Sequence, residues 1–374
     1  MQLSEQEIVR RENLQKIRDL GIEPFPAEAF TVTNTAQEVV EQFEPAVENF
    51  QEVALAGRVM GRRVMGKAAF AELQDASGRI QIYVARDSIC PEENKDLYNK
   101  LFKKHLDIGD YVGVKGYAFK TKTGHTSIYV QEFIFLSKSL RPLPIVKRDE
   151  DGNTYDEFTD PELRYRQRYV DLTVNPQFRS IFVKRSQIIS AMRRFFDEQG
   201  WLEVETPILQ PIHGGAAARP FATHHNTLDT PLYMRIANEL YLKRLIVGGF
   251  DGVYEIGKMF RNEGMDRTHN PEFTSMEIYV AYKDYVWMME MVENLLEDIA
   301  VKVNGTTTAT VGENIIDFKG PYRKISMYDS IKEYTDIDVS QMDEAGLREV
   351  CKQLHIEVDD TMGKGKLIDE IFLY

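Results

Sequence analysis

The sequence predicts an α+β protein in which a small β-barrel precedes a second region of helices and antiparallel strands. Short runs of alternating apolar residues separated by turn residues fill the stretch from Val53 to Leu136. A long apolar helix from Pro176 to Gly200 leads directly into a strand at residues 201–207. A hairpin rich in charged side chains follows between Phe260 and Tyr279.

Composition limits the classes of protein that this chain can represent. With 374 residues, 43% of them hydrophobic, the chain is long enough for two or more domains with substantial cores. The formal net charge of −13 argues against polyanion binding by the whole surface, so a nucleic-acid site must be a local basic patch. Cys90 and Cys351 lie far apart, which predicts neither disulfides nor a structural zinc site and fits the cytoplasm. No secretory leader and no membrane-spanning segment is predicted.

The N-terminal 50 residues are predicted to be mainly helical. Ser4-x-x-Glu7 matches a capping box, which favours an amphipathic helix through Leu20 with Gly21 as its end.

Residues 51–140 are predicted to form a five-stranded barrel. The five strand segments are Ala54–Met60, Ala69–Gln74, Ile80–Val84, Tyr111–Tyr117 and Ser127–Phe133. A helix from about Glu92 to Leu106 completes the strand order of an oligonucleotide-binding (OB) barrel. Lysines and arginines interleaved with Phe70 and Tyr83 suit single-stranded nucleic acid, although a small all-β scaffold with exposed lysines explains the pattern equally well.

A linker at residues 141–172 is predicted from Arg141-Pro-Leu-Pro-Ile-Val and the acidic stretch Asp149 to Asp160. The second domain, at residues 173–374, begins with the long helix that ends near Gly200. Its apolar surface indicates either core packing or a subunit interface.

The hairpin concentrates charge on strands whose neighbours are apolar. Alternating residues of a strand share a face, so Arg261 and Glu263 are predicted to point together on the first strand, and Phe273, Glu277 and Tyr279 on the second. The segment from Gly264 to Asn270 is the connecting loop. Because burying such charges without partners is costly, the hairpin suits an anionic nucleotide and a cationic ligand better than it suits a solvated surface.

Several segments together resemble the class II aminoacyl-tRNA synthetases. The long helix leading into Trp201-Leu-Glu-Val-Glu-Thr-Pro207 is similar to the dimer-forming first motif of that class, and Phe260-Arg-Asn-Glu with its return strand is similar to the second. More narrowly, four segments resemble the bacterial lysyl-tRNA synthetases: Gly214-Gly-Ala-Ala-Ala-Arg-Pro-Phe221, Thr223-His-His-Asn226, Leu240-Tyr-Leu-Lys-Arg-Leu-Ile-Val-Gly-Gly-Phe250 and His269-Asn-Pro-Glu-Phe273.

The resemblance implies an antiparallel catalytic sheet flanked by helices, a homodimer formed through the long helix and the 201–207 strand, and activation of lysine with ATP. Arg261 would be the catalytic residue, bridging the α-phosphate and the lysine carboxylate. Phe273 would stack on adenine and Glu263 would accept from its amine, with His269 and Asn270 near the phosphates and ribose. Arg267 or Thr268 would reach the γ-phosphate, and Mg²⁺ would neutralise the triphosphate.

For lysine itself, the resemblance implies Glu239 and the backbone of Gly215 at the α-ammonium, with Glu277 and Tyr279 at the side-chain ammonium. A carboxylate and a phenol accept from an ammonium and repel an aspartate. In the barrel it implies stacking of an anticodon base of the lysine tRNA on Phe70, with Arg63, Gln81 and Glu132 as its hydrogen-bonding neighbours.

Beyond Phe318 the family leads us to expect magnesium-binding carboxylates and a glycine-rich third motif, and neither precedes Tyr374. The chain is therefore expected to be an incomplete class II enzyme, with no metal ligands of its own, a helical insertion at about residues 326–374 and little adenylation in isolation. Two alternatives stay open: a non-catalytic tRNA-binding or dimer scaffold, and an aspartate- or asparagine-specific synthetase.

Overall fold

The computed structural model describes residues 2–144, 147–148, 154–155 and 158–374, without side chains at 147–148 and 154–155. Most of the predicted acidic linker from Asp149 to Asp160 therefore lies outside the described residues. The described chain divides into two compact units, Met1–Arg179 and Ser180–Tyr374.

The first unit contains a closed barrel with the strand order β1-β2-β3-β5-β4. Its helices and strands are α1 (Glu5–Asp19), α2 (Ala36–Gln42), β1 (Val53–Met65), β2 (Ala68–Gln74), β3 (Arg79–Ala85), α3 (Arg86–Ile89), a π-helix (Leu97–His105), β4 (Tyr111–Lys120), β5 (Thr126–Ser137), β6 (Lys147–Arg148), β7 (Thr154–Tyr155), α4 (Pro161–Arg166), α5 (Arg168–Val174) and a 3₁₀ turn (Pro176–Phe178).

All five predicted barrel strands are present, each longer than its apolar core segment suggested. The predicted helix from Glu92 begins only at Leu97, because an isolated turn of helix (α3) and a loop come first. The first helix agrees with its prediction: Ser4 and Glu7 form a reciprocal capping box. Gly21 follows with a φ of +75°, a conformation that glycine adopts without strain.

A buried ion cluster joins α1 to the end of β5. Lys138 lies 2.8 Å from Asp110 and 2.5 Å from Asp107, and Asp110 also accepts from the backbone N–H groups of Asp107 and Ser139. Asn13 of α1 donates to Asp107. Burial raises the pKa of the Asp110 carboxyl, and Lys138 opposes that rise.

The second unit contains two three-stranded sheets, β13-β12-β8 and β10-β11-β9, and a separate hairpin, β14-β15. Its helices and strands are α6 (Arg179–Glu198), β8 (Leu202–Glu203), β9 (Leu209–Gln210), β10 (Ala222–His225), β11 (Thr230–Met234), α7 (Glu239–Val247), β12 (Gly252–Phe260), β13 (Glu272–Val280), α8 (Tyr285–Asn304), β14 (Thr308–Val311), β15 (Asn314–Asp317), α9 (Met327–Thr335), α10 (Glu344–Gln353) and α11 (Lys364–Leu373).

Three details of the second unit correct the sequence predictions. The strand predicted at residues 201–207 is only Leu202–Glu203, and it pairs with β12 in parallel rather than antiparallel. Helix α6 begins at Arg179, after the 3₁₀ turn that contains Pro176. Strand β12 ends at Phe260, so Arg261 and Glu263 lie in the loop and strand alternation does not decide where they point.

The core of the β13-β12-β8 sheet forms where α6 and α8 cover it, around Phe196, Tyr254, Met291 and Leu295. The last three helices have a separate core that includes Ile331, Leu347 and Leu367, as a helical insertion would require. Among the described residues, no helix is long and apolar enough to cross a bilayer.

Candidate active site and nucleic-acid face

The hairpin β12–β13 aligns the predicted site residues by its register. Glu255 stands directly opposite Glu277, and Met259 directly opposite Phe273. The Arg261 N–H donates to the Pro271 carbonyl at 2.8 Å, which extends the ladder one step beyond the strands. Arg261 is therefore held at the mouth of the loop, beside the first residues of β13.

Arg261 combines burial with unused hydrogen-bonding capacity. Its guanidinium carbon lies 5.1 Å from the centre of the Phe273 ring. Its Nε is buried and has no hydrogen-bond partner among the described residues. Since a buried N–H without a partner is costly, an anion that accepted from it would satisfy the guanidinium on this side.

Glu263 is held by the backbone of Arg219, a residue to which the sequence assigned no role. A carboxylate oxygen of Glu263 accepts from the Arg219 N–H at 3.2 Å, and the Asn262 N–H donates to the Arg219 carbonyl at 2.8 Å. The loop after Arg261 is thus anchored on the backbone of residue 219.

The tip of the loop is organised around Asp266, which the sequence analysis also missed. Its carboxylate accepts from the N–H groups of Thr268 and His269 at 2.7 and 2.8 Å, and the His269 ring lies 2.9 Å away. These hydrogen bonds, led by that from the Thr268 N–H, hold the pKa of Asp266 well below its usual range. The Thr268 hydroxyl also donates to Asp266, whereas Arg267 has no hydrogen-bond partner in the described part of the chain. Asn270 donates to the Glu272 carbonyl.

Glu277 and Tyr279 lie side by side on β13. The Tyr279 hydroxyl donates to the Glu277 carboxylate at 3.0 Å. Desolvation, followed by the negative charge of Glu277, raises the pKa of Tyr279, so the phenol stays protonated. No lysine or arginine of the described residues forms an ion pair with Glu277, which leaves its charge uncompensated.

Gly215 and Glu239, the residues implied for the α-ammonium, are neighbours. Gly215 has a φ of +87°, and a Cβ placed on it would come within 2.9 Å of the Cβ of Glu239. Only glycine therefore fits against the first residue of α7. Glu239 forms an ion pair with Lys243, one turn along the helix, at 2.6 Å. Helix α7 packs on both β12 and β13, which brings this pair to the hairpin.

A buried ion pair beneath the hairpin was missed by sequence analysis. Arg235 lies 2.5 Å from Glu255, and the Thr206 hydroxyl donates to the same carboxylate at 2.6 Å. Gly257 makes room for this pair, because a Cβ there would meet Arg235 at 2.3 Å. In the sequence, a buried pair is indicated by Glu255, a carboxylate within the apolar run Val253-Tyr-Glu-Ile256. The run does not show that the partner is Arg235, because that residue is distant in sequence.

On the barrel, a row of side chains crosses all five strands. Arg63 faces Phe70, Phe70 faces Tyr83, and Tyr83 faces Tyr129, which faces Tyr117. Neighbouring rings in the row lie 5.1 to 5.4 Å apart between centroids. The half-buried rings form a continuous aromatic surface that the sequence analysis had recognised only at Phe70 and Tyr83.

Two further residues implied for the nucleic acid lie on the same barrel. Gln81 is on β3 and accepts from the Ser127 hydroxyl at 2.9 Å. Glu132 is on β5 and forms an exposed ion pair with Lys115 at 2.9 Å.

The histidines near residue 213 do not gather into a metal site. His224 pairs with the carboxylate of Asp229, at 3.0 Å. Within the described ranges, no three histidine, cysteine or acidic side chains converge in a way that could hold a metal ion.

Comparison with known families gives two matches, which cover different parts of the chain. The model for "tRNA synthetases class II (D, K and N)" matches residues 160–358. The model for an "OB-fold nucleic acid binding domain" matches residues 53–136, the barrel.

Curated relatives match along the whole chain. A lysine–tRNA ligase of Porphyromonas gingivalis is 61% identical over 375 residues, covering 100% of this chain and 64% of the relative. One of Christiangramia forsetii is 62% identical, covering 99% and 64%. One of Azobacteroides pseudotrichonymphae is 58% identical, covering 99% and 74%. The chain thus spans just under two thirds of the length of the first two.

Proposed function

The chain belongs to the class II tRNA synthetases, in the group that its family model describes as D, K and N, and on this premise we propose that it forms part of a lysine–tRNA ligase. In the proposed reaction the lysine carboxylate attacks the α-phosphate of ATP, giving lysyl-adenylate and pyrophosphate. A hydroxyl at the tRNA 3′ end then attacks the lysyl carbonyl, forming the ester and releasing AMP.

The choice of lysine as the substrate rests on the uncompensated negative charge of Glu277. Its carboxylate receives hydrogen bonds from neutral groups only, and the two neighbouring carboxylates are already paired, Glu239 with Lys243 and Glu255 with Arg235. A pocket whose uncompensated charge is negative favours an ammonium and opposes an aspartate side chain, which would require a cation here.

Arg261 supports the nucleotide half of the proposal. Its buried Nε lacks a partner, and its guanidinium lies over the Phe273 ring, where an adenine would stack. We assign Arg261 to the α-phosphate and the lysine carboxylate, both anionic, because a guanidinium can donate to two anions at once. Both reactants are charged before they react, so positioning and charge stabilisation would supply most of the rate enhancement.

For the γ-phosphate we favour Arg267 over Thr268. The Thr268 hydroxyl is occupied by Asp266, whereas Arg267 keeps its donors available. Glu263 would accept from the adenine amine, with His269 and Asn270 near the phosphates and ribose. Mg²⁺ is expected to accompany the triphosphate. Because the described residues hold no cluster of ligands for it, we assign no ligand of that ion to this part of the chain.

The barrel would bind the anticodon of the lysine tRNA. Rings on an outer face beside Arg63 suit unpaired bases, which stack on aromatic side chains while cations neutralise phosphate. Phe70 is the proposed stacking residue, with Arg63, Gln81 and Glu132 as hydrogen-bonding neighbours. A cytoplasmic location, where tRNA is aminoacylated, accompanies this proposal.

Helix α6 supports a homodimer. It exposes Ile181, Phe182 and Val183, with 58, 42 and 56% of their surface accessible. Apolar side chains grouped at this density on one helix are typical of a protein interface, and we propose that the partner is a second copy of the chain.

The test is lysine-dependent exchange between pyrophosphate and ATP, measured on the native full-length protein with lysine, aspartate and asparagine in parallel. We expect exchange with lysine alone. Exchange with aspartate or asparagine would replace the proposed substrate, and tRNA binding without any exchange would favour a non-catalytic scaffold.

A further inference from the structure

Asn238 stands at the start of α7 but does not behave as a helix cap. Its carbonyl accepts the first helical hydrogen bond, from the Leu242 N–H at 3.3 Å. Asparagine is favoured at this position because its side-chain oxygen can accept from the N–H groups of the first turn. Here the side chain makes no such bond and is completely buried. Its hydrogen-bonding capacity is therefore directed elsewhere.

The Asn238 side chain faces Glu277. Two carboxylate oxygens can only accept, so the amide must present its nitrogen to them. In that orientation it donates to both oxygens of Glu277, at 2.6 and 3.2 Å. Together with the Tyr279 hydroxyl at 3.0 Å, this gives the carboxylate three contacts from two neutral donors.

These contacts fix the carboxylate without cancelling its charge. A carboxylate has about four acceptor positions, so about one remains for a ligand. A lysine or arginine in place of Asn238 would orient Glu277 equally well but would neutralise it. Among the ionisable groups near Glu277, Tyr279 has a raised pKa and is protonated, Glu255 directly opposite is paired with Arg235, and Glu239 is paired with Lys243.

We infer that Asn238 is a positioning residue for substrate selection, which holds Glu277 as an oriented and still negative acceptor for the side-chain ammonium of lysine. The inference rests on the proposed function, since it assumes that lysine is the ligand of Glu277. Asn238 itself does not touch the substrate in this account; it acts through Glu277.

The primary test is Asn238→Leu, which has a similar shape and no donor, in the native full-length protein. Titration calorimetry with lysine should show Kd raised about tenfold or more, the usual range for losing a hydrogen bond to a charged group. The Kd for ATP should not change. Asn13→Leu is the matched control, since Asn13 is also buried and donates to a carboxylate, Asp107, but in the barrel. It should leave lysine binding unchanged.

A second variant separates a donor role from a merely structural one. In Asn238→Asp two carboxylates stand close enough to share a proton, which raises the pKa of the pair. The shared proton supplies the missing donor and restores the single negative charge. Lysine affinity of this variant should therefore improve as pH falls from 8 to 6, while that of the wild type stays nearly flat.

Each result decides the inference. It is overturned if Asn238→Leu binds lysine within twofold of the wild type, or if Asn238→Asp loses affinity equally at every pH. Should the leucine variant not fold, the pH profile of the aspartate variant decides alone. Failure of the proposed function looks different, because the wild-type protein itself would then not bind lysine.

Discussion

The barrel and the hairpin sheet both bury charged side chains, but they treat them in opposite ways. In the barrel, Asp110 is fully buried and surrounded by Lys138 and two backbone N–H groups. In the sheet, Glu277 receives only neutral donors and the Nε of Arg261 receives no acceptor. The first arrangement is complete within the described chain, whereas the second leaves a charge and a donor that the proposed ligands would satisfy.

The difference follows from the cost of burying charge. An ion removed from water must be compensated, and a protein can supply the partner itself or leave that to what it binds. The contrast belongs to individual residues rather than to whole units, because Glu255 in the same sheet is paired with Arg235, the residue that follows β11. A buried charge without an oppositely charged protein partner is therefore the better indicator of a site.

The largest effect is expected from Arg261→Gln, which removes the cation with the unsatisfied donor. Loss of a group that stabilises developing charge typically costs about a hundredfold to a thousandfold in rate, so we expect lysine-dependent pyrophosphate exchange to fall by about that factor. Thermal stability should be retained, since the side chain makes no hydrogen bond that the fold requires. Arg323→Gln, at an exposed arginine paired with Glu333, is the control and should exchange normally. Equal exchange rates in the two variants would contradict the proposal that Arg261 binds the reacting anions.

Lys138→Met tests the buried charges that the protein itself neutralises. Removing one partner of a buried pair leaves Asp110 uncompensated, which costs about 3 to 5 kcal/mol. For a unit of this size that corresponds to a drop of about 10 °C in the melting temperature of the barrel. Differential scanning calorimetry would measure it, with Lys100→Met as the matched control because Lys100 and Asp96 form an exposed pair. A similar fall in melting temperature in both variants would show that the buried pair stabilises the barrel no more than the exposed pair does.

Sequence reasoning succeeded where a short-range rule applied. Period-two alternation predicted all five barrel strands, and the spacing of Ser4 and Glu7 predicted the capping box. Alternation along β13 also placed Phe273, Glu277 and Tyr279 on one side of the strand.

It failed where contacts join distant segments. The bonds from Asn238 to Glu277 and from Arg235 to Glu255 depend on how α7 and the preceding segment cross the hairpin. The aromatic row was read only in part because Tyr129 meets Tyr83 through a parallel pairing of β3 and β5. No local pattern encodes that register.

Phe70→Ala applies the same comparison to an apolar side chain on the outer face of the barrel, which a ligand would cover. One base stacked on an aromatic ring contributes about 1 to 3 kcal/mol, so affinity for the lysine tRNA should fall about tenfold or more. Lysine-dependent exchange should be retained, because the ring belongs to the barrel. Filter binding would measure the tRNA affinity, and Phe25→Ala, at an exposed phenylalanine outside the aromatic row, should bind normally. Equal affinities would identify Phe70 as a packing residue.

The smallest effect is expected at Asp266, an exposed carboxylate that is hydrogen-bonded to Thr268 and His269 of the same loop. Its folded pKa lies below that of an ordinary aspartate, so it stabilises the loop at every pH above the ordinary value of about 4. That stabilisation declines below about pH 4, where the unfolded carboxyl binds a proton, and is completely lost once pH has fallen through the depressed pKa. Amide hydrogen exchange at Thr268 and His269 should therefore show constant relative protection from pH 7 to about pH 4 and lose it at lower pH.

Asp266→Asn separates the charge of this residue from its shape. The variant keeps an acceptor oxygen, so the loop should form with weaker bonds and without the acid transition, and ATP affinity should fall only about twofold to fivefold, as for loss of one ordinary hydrogen bond. For Glu277, by contrast, we propose a direct contact with the lysine ammonium. If Asp266→Asn weakened lysine binding as strongly as Glu277→Gln, the charge of Asp266 would act on the ligand as well as on the loop.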